Sequence, residues 1–203
     1  MTKPILTFWY EFASPYSWLA AERADALAEA AGVELCWRAF LLGPILAALG
    51  WKTSPFNLQL AKGRHMWRDI ERHCALLDLP PLTRPDPFPQ NGLLAARVAT
   101  ALPDESRPAF SRAAFRAEFT SGGPIADRAA IADILRGCGL DADATLAAAE
   151  TPQIKTALRA ATEDASARGI FGAPSFTTAA GELFWGNDRL EPALHWARKE
   201  TEP

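Results

Sequence analysis

The sequence contains few cysteines, and none of them form the pair that redox proteins use. Only three of its 203 residues are cysteine, Cys36, Cys74 and Cys138, and no C-x-x-C motif is present. Their odd number, wide spacing and apolar surroundings argue against a disulfide framework and against a metal site. We therefore expect three buried free thiols and no bound metal. The histidines do not change this prediction, because none has metal-ligand spacing.

The sequence also lacks a large excess of charge of one sign, and it lacks long apolar runs. The formal net charge is −3, and the lysines and arginines form no basic block with interleaved aromatic residues. That pattern argues against nucleic acid and anionic membrane as partners. No apolar run reaches the roughly 18 residues that a membrane span needs. Glu11 interrupts the apolar start of the chain before a signal-peptide pattern can form. We therefore expect a cytoplasmic protein.

The stretch from Ile5 to Ala20 predicts a buried strand that runs directly into a helix. Its first half is rich in β-branched and aromatic residues. Ser14 then predicts a helix N-cap, Pro15 suits the first helical position, and good helix formers follow up to Gly32. Ser14 thus lies at the positive end of a helix, where a thiolate or carboxylate is favoured. The stretch alone allows either a plain cap or an anion-binding residue.

Helical patterns occupy the middle of the chain. Residues 33–40 first predict a second strand, which a right-handed crossover would place parallel to the first. From residue 43 to 168 the sequence shows helical patterns and almost no strand signal, including an amphipathic helix over residues 62–79. We predict a loop over residues 51–60 and a rigid extended connector over the five prolines of residues 80–89.

Strand character returns after Gly169. Residues 175–179 and 182–186 predict a β-hairpin, and Asn187 or Asp188 predicts the cap of a final helix. The chain order is therefore strand–helix–strand, a helical block, and then hairpin–helix. That is the order of a thioredoxin-like fold.

The predicted fold class is α/β, a thioredoxin-like fold (βαβ…ββα) with an inserted all-helical domain. Residues 1–42 and 169–203 form the discontinuous thioredoxin-like domain of this prediction, and residues 43–168 form the inserted helical domain. Insertions are tolerated at loops whose ends lie close together.

The start of the first helix carries a C-x-x-C motif in redox proteins of this fold. Here Ser14 and Ser17 stand at that place, so hydroxyl groups replace both sulfurs. Serine cannot form a disulfide, which excludes a thiol–disulfide cycle through this site. An insulin-reduction assay would test that exclusion.

Two further motifs lie near the end of the chain. Pro174, just before a predicted strand, is either a loop residue or the cis proline that this fold places opposite the first helix. In the second case Ala173 offers free backbone groups to an extended ligand. Asn187 and Asp188 are either plain helix caps or groups that hold the head of an α-amino acid.

Six segments together resemble the 2-hydroxychromene-2-carboxylate isomerases and their relatives, the kappa-class glutathione transferases. The segments are FASPYSWLA, FLLGPI, SPFN, AKGRHMWRD, GIFGAPSF and FWGNDRL. The resemblance covers nearly the whole chain and is closer to the isomerases. Relatives often carry a lysine near Ala47, where this chain has none, so the exact substrate stays open.

The resemblance implies reduced glutathione as the cofactor and Ser14 as the catalytic residue that hydrogen-bonds its sulfur. Lys62 would hold the glycine carboxylate, and Asp188 would face the ammonium group. The positions that the resemblance assigns to glutathione binding are Asn57, Lys62, Ala173, Pro174, Asn187 and Asp188. It also implies a small aromatic acid as substrate and a homodimer.

The function that follows from the resemblance is a glutathione-dependent isomerase in the breakdown of polycyclic aromatics. It would interconvert 2-hydroxychromene-2-carboxylate and trans-o-hydroxybenzylidenepyruvate by reversible thiolate addition and elimination. Two alternatives stay open at this stage. One is a kappa-class glutathione transferase or peroxidase that uses the same serine. The other is a non-catalytic module that binds thiols or peptides.

Overall fold

A four-stranded mixed sheet forms the centre of the computed structural model, which describes residues 3–201. The strands are β1 (Ile5–Tyr10), β2 (Glu34–Ala39), β3 (Ser175–Thr178) and β4 (Leu183–Trp185). Their order across the sheet is β2-β1-β3-β4. Strand β1 runs parallel to β2 and antiparallel to β3, which pairs antiparallel with β4. The predicted thioredoxin-like α/β fold is confirmed.

Helix α1 (Pro15–Ala31) begins and ends as its sequence predicts. Ser14 caps it: its Oγ accepts a hydrogen bond from the Ser17 N–H at 3.2 Å. The helix ends at Gly32, whose φ of 68° is left-handed and suits glycine. Because β1 ends at Tyr10, the N-terminus of α1 lies at the carboxyl end of the central strand.

Helices fill the chain between β2 and β3. Within the described residues of that stretch no strand occurs, as predicted. The helices are α2 (Leu42–Ala48), α3 (Pro55–Leu58), α4 (Leu60–Leu76), α5 (Leu93–Ala101), α6 (Arg107–Ser121), α7 (Arg128–Gly137), α8 (Ala142–Ala149) and α9 (Pro152–Ala167). That this block is an inserted domain in its own right stays a prediction.

The segment that we predicted as a loop before α4 contains the short helix α3. Ser54 caps it by accepting from the Phe56 N–H at 3.3 Å, and Pro55 takes the first helical position. Helix α1 begins with the same serine–proline pair, so the signal for a helix start was present in the sequence. The prediction of a loop was wrong because four residues are too few for a periodic pattern.

The predicted caps of the last helix were also wrong. A single 3-10 turn, Asn187–Arg189, leads into α10 (Leu190–Lys199), and neither Asn187 nor Asp188 makes a side-chain cap. The Asn187 side chain instead accepts from Arg23 of α1. A tertiary contact therefore takes the oxygen that local sequence assigned to the helix.

Aromatic rings form the core between the sheet and the helices. Phe8 of β1 stacks on Phe176 of β3 with ring centroids 5.2 Å apart, and Phe12 lies 5.1 Å from Phe115 of α6. The Tyr10 hydroxyl is buried and shares a hydrogen bond of 2.8 Å with Ser111. Each large apolar side chain buried in this way contributes roughly 1.5–3 kcal/mol. This packing fixes the end of β1 and therefore the start of α1.

The cysteines are free, but only one of them is buried. Cys74 is buried on α4, Cys138 is partly buried, and Cys36 is exposed. The prediction of burial was wrong for Cys36 because β2 is an edge strand whose buried side chain, Trp37, points to the other face. Among residues 3–201, no helix is both long and apolar enough to cross a membrane.

Candidate active site

Ser14 stands where two distant parts of the chain meet. Its Oγ donates a hydrogen bond of 2.9 Å to the carbonyl oxygen of Ala173, which lies 159 residues away in the sequence. The same Oγ accepts from the Ser17 N–H. The side chain is partly buried. A hydroxyl donor is thus held at the positive end of α1.

The Ala173–Pro174 peptide bond is cis, as predicted, and it faces the start of α1. Gly186 of the neighbouring segment donates its N–H to the Pro174 carbonyl at 3.0 Å, which ties this loop to β4. The Ala173 carbonyl oxygen already accepts one hydrogen bond, from Ser14. Because a carbonyl oxygen has two lone pairs, it can accept a second one, and that Ala173 pairs with a ligand stays a prediction.

Asn187 and Asp188 form a second part of the site with different properties. Asn187 is only 4% exposed. Arg23 holds it through two hydrogen bonds, one to Oδ1 at 3.4 Å and one to the backbone oxygen at 2.9 Å. Arg23 also pairs with Glu191 at 2.6 Å. Asp188 is exposed and lies 3.2 Å from Arg189.

These residues border an open cavity of about 380 Å³. Its walls carry acidic, basic and amide groups, which suits a zwitterionic head group such as that of an α-amino acid. The residues that line it are Arg23, His73, Leu77, Asn187, Asp188, Glu191 and Pro192. Sequence reasoning predicted Asn187 and Asp188 at such a site but missed Arg23 and His73.

Tyr16, in the first turn of α1, is a hydrogen-bond donor that sequence reasoning missed. Its hydroxyl donates to Asp69 Oδ2 at 2.9 Å. Burial raises the pKa of Tyr16, and so do the hydrogen bond to Asp69 and the charges of Asp69 and Asp188. His73 Nε2 lies 3.8 Å from the same Asp69 oxygen. For the pair Asp69 and His73, the i,i+4 spacing on α4 was the signal available in the sequence.

Asn57 and Lys62 lie in the helical block between β2 and β3. Asn57, on α3, donates to the Phe88 carbonyl at 2.9 Å and to Thr53 Oγ1 at 3.2 Å. Lys62 is exposed in the first turn of α4. The two helices approach closely, since a Cβ on Gly63 would lie 2.4 Å from the Phe56 carbonyl oxygen. That Asn57 and Lys62 contact glutathione stays a prediction.

Two carboxyl groups lie in the interior near the start of α1. Glu11, three residues before Ser14, accepts the Ser14 N–H at its backbone oxygen. Burial raises the pKa of its side chain to about 7. Glu118 of α6 is fully buried, and neither of its oxygens has a hydrogen-bond partner. Burial, followed by the nearby charge of Glu11, holds the pKa of Glu118 well above its usual range.

The described residues contain no candidate metal site. Within residues 3–201, no group of three or more His, Cys, Asp or Glu side chains is placed to hold an ion.

The fold and the site define a thioredoxin-like protein that carries a serine hydroxyl at the start of α1. Residues 5–195 match the DSBA-like thioredoxin domain. The chain is 33% identical over 196 residues to the 2-hydroxychromene-2-carboxylate isomerase of Sphingobium xenophagum, an alignment that covers 94% of this chain and 96% of that protein. This chain belongs to the 2-hydroxychromene-2-carboxylate isomerase family, within the DsbA-like thioredoxin proteins.

Solved structures support the fold. A 2-hydroxychromene-2-carboxylate isomerase superposes with a TM-score of 0.84 at 24% identity, covering 97% of this chain and 95% of that one. A probable DsbA oxidoreductase from Streptomyces coelicolor gives a TM-score of 0.76 at 20% identity, with 98% and 92% covered. At these identities the likeness establishes the architecture alone.

Proposed function

We propose that this protein is a glutathione-dependent isomerase that interconverts 2-hydroxychromene-2-carboxylate and trans-o-hydroxybenzylidenepyruvate. One observation carries the proposal. The Ser14 hydroxyl, at the N-terminus of α1, donates to the cis-proline loop at the place where redox relatives carry a thiol. The name of the relative with 33% identity supports this choice of reaction.

The residues at the site fit reduced glutathione. Its γ-glutamyl end is an α-amino-acid head group, which matches the mixed charges of the cavity beside Asn187 and Asp188. The Ala173 carbonyl suits pairing with the cysteinyl backbone, next to Pro174, and Asp188 suits the ammonium group. Asn57 and Lys62 would take the glycyl end, with Lys62 offering a positive charge to its carboxylate.

In the opening direction, the ring C2–O bond of the chromene breaks as the 2-hydroxyl becomes the ketone and its proton passes to the phenol oxygen, which leaves the cis enone. Bound glutathione would supply a thiolate that adds to the conjugated carbon of this enone, permits rotation about the former double bond, and leaves again unchanged to give the trans isomer. The task of the protein is to keep the sulfur anionic. In this proposal the Ser14 hydroxyl turns from the Ala173 oxygen towards the sulfur, and the first turn of α1 adds its positive end. Both effects lower the pKa of the thiol.

Thermal unfolding with and without reduced glutathione tests the cofactor. A ligand at a hundred times its Kd stabilises the folded chain by about 2.7 kcal/mol. For a chain of this size each kcal/mol shifts Tm by roughly 2–4 °C, so a rise of roughly 5–10 °C is expected. Oxidised glutathione is the control. No shift at millimolar reduced glutathione would contradict the proposal and favour a non-catalytic binding module.

Product analysis tests the reaction. NMR of 2-hydroxychromene-2-carboxylate incubated with the protein should show the open-chain isomer only when reduced glutathione is present, with the glutathione recovered unchanged. Accumulation of a stable glutathione conjugate would instead identify a transferase of the kappa type.

A further inference from the structure

We propose that the exposed aromatic pair Phe171 and Trp185 is the platform on which the ring of the aromatic acid substrate binds beside Ser14. The inference deepens the proposed function and rests on it, because a ring-binding surface serves the reaction only when the substrate comes to Ser14. Four features of the structure point to it. Both rings are exposed, they meet edge to face, Trp185 lies against the cis-proline loop, and the surface that the pair exposes suits a flat ring.

The pair is exposed although its members are large apolar rings. Phe171 is 49% exposed and Trp185 is 53% exposed. Their ring centroids lie 4.8 Å apart at an interplanar angle of 61°, an edge-to-face arrangement. Burying such rings would be favourable by roughly 1.5–3 kcal/mol for a side chain like Phe, yet nothing in residues 3–201 covers them. A cluster of this kind marks a binding surface more readily than a single exposed ring does.

The Trp185 indole lies directly against the backbone of Gly172. A Cβ on Gly172 would lie 2.3 Å from Trp185 Nε1, so only glycine lets the indole lie against the chain at this place. The Gly172 carbonyl accepts from Ser175 Oγ at 2.8 Å. Ser175 is in turn the partner of Trp185 in the pairing of β3 with β4. Loop, strand and indole are therefore joined by direct contacts into one unit.

That unit is joined directly to the catalytic serine. Gly172 supports the indole, and the next residue, Ala173, accepts the Ser14 hydrogen bond at 2.9 Å. Consecutive Cα atoms are only about 3.8 Å apart. In this proposal a ring held on Trp185 extends its short conjugated side chain past Ala173 towards Ser14, where the thiolate would be stabilised.

The shape of the pair suits a flat ring better than an extended peptide. An edge-to-face pair presents the face of one ring beside the edge of the other, and aromatic rings pack favourably in such a corner. The compound in the name of the relative, 2-hydroxychromene-2-carboxylate, is a bicyclic acid with a flat benzene ring. The platform would bind its ring and leave the pyruvate-like end to the rest of the site.

A binding experiment tests the platform without relying on catalysis. The indole N–H signals of the full-length protein are recorded by NMR while 2-naphthoate, a flat aromatic acid, is added with reduced glutathione present. Comparison with the Trp185→Ala variant identifies the Trp185 signal. We expect that signal to shift and the Trp196 signal to stay. Trp196 is a matched control, being 42% exposed on α10 with the Lys199 ammonium 5.5 Å from its ring centroid.

Variants measure the contribution of the pair. Aromatic contacts change affinity by roughly two- to tenfold beyond area burial, so Trp185→Ala and Phe171→Ala should each weaken 2-naphthoate binding about tenfold. Trp185→Phe should recover part of the loss. In turnover assays Trp185→Ala should raise KM for the chromene acid while the Kd for glutathione, measured by calorimetry, stays within about twofold of wild type. Trp196→Ala should change neither quantity.

The outcomes separate this inference from the proposed function. If the wild type isomerises the chromene acid but Trp185→Ala and Phe171→Ala behave like Trp196→Ala, the platform is refuted and the function stands. If 2-naphthoate shifts the Trp185 signal but no isomer forms, the proposed reaction is refuted and the aromatic site stands. If millimolar 2-naphthoate shifts no indole signal, the platform is refuted.

Discussion

Ser14 and Thr151 begin helices in the same local way but end up in different environments. Each is an N-cap followed by a proline, and each accepts a hydrogen bond from the N–H three residues ahead. The Thr151 hydroxyl donates to the Ala148 carbonyl, three residues back. The Ser14 hydroxyl donates to Ala173, 159 residues away. The cap is a local property, whereas the candidate site depends on the partner that the tertiary fold supplies.

The largest expected effect is the fall in turnover when the Ser14 hydroxyl is removed. Ser14→Ala should lower kcat about 10²- to 10³-fold, the usual cost of losing one preorganised donor to a developing anion. The Kd for glutathione should change little, because the other contacts remain. Steady-state kinetics and calorimetry measure the two quantities.

Thr151→Ala is the matched control for that experiment. Losing a cap costs about 0.5–2 kcal/mol of stability, so its Tm should fall while its kcat stays at the wild-type value. Turnover by Ser14→Ala at the wild-type rate would show that Ser14 is only a cap, like Thr151.

Glu118→Gln should reduce the pH dependence of stability that arises from the buried carboxyl groups near Ser14. The pKa of Glu118 is raised, and that of Glu11 is raised to about 7 from an ordinary 4.5. A raised pKa favours the protonated form in the folded state, so stability is full below about pH 4.5 and is lost as the pH rises towards 7 and above. An unsatisfied buried group costs about 1–3 kcal/mol. The variant should therefore lose less Tm than wild type between pH 5 and pH 8.

The exposed Glu163 of α9 provides the control for this measurement. Glu163→Gln should follow the wild-type curve of Tm against pH. If Glu118→Gln follows that curve too, the Glu118 carboxyl is not the group that titrates.

Gly172→Ala should disturb the loop that carries Ala173, the hydrogen-bond acceptor of Ser14, without changing the Ser14 cap of α1. The new methyl would overlap the Trp185 indole, which must swing away. Overpacking typically costs about 1–3 kcal/mol, and we expect the low end because a side chain can move. Tm should fall by roughly 2–4 °C, and 2-naphthoate binding should weaken. Gly137→Ala, with no atom within 4 Å of the new methyl, should leave 2-naphthoate binding unchanged and should not lower Tm, because alanine suits the helix better than glycine.

Lys62→Gln is expected to have the smallest effect. Lys62 is exposed on α4, and exposed ion pairs contribute about 0–1 kcal/mol. The Kd for reduced glutathione should rise less than about fivefold, and the difference should shrink at high salt. Calorimetry at two salt concentrations measures both. A tenfold loss that salt does not reduce would mean that Lys62 becomes buried against the ligand.

Much of this protein can be predicted from the sequence because the relevant signals are local. Composition predicts β1, and the serine–proline start and the glycine at position 32 predict both ends of α1. Chain order then predicts the thioredoxin-like fold, and the motif around Ser14 excludes a redox disulfide there. Each of these inferences depends on residues within one turn or one strand of one another.

Other features depend on contacts between distant residues, which no local pattern encodes. Packing of α10 on α1 brings Arg23 to Asn187 and makes that side chain a tertiary acceptor instead of a cap. The approach of α6 to the end of β1 leaves Glu118 buried beside Glu11. The sequence by itself determined the strands, most of the helices and the hydroxyl at the start of α1. Only the tertiary structure decided what that hydroxyl contacts, because its acceptor comes from the far end of the chain.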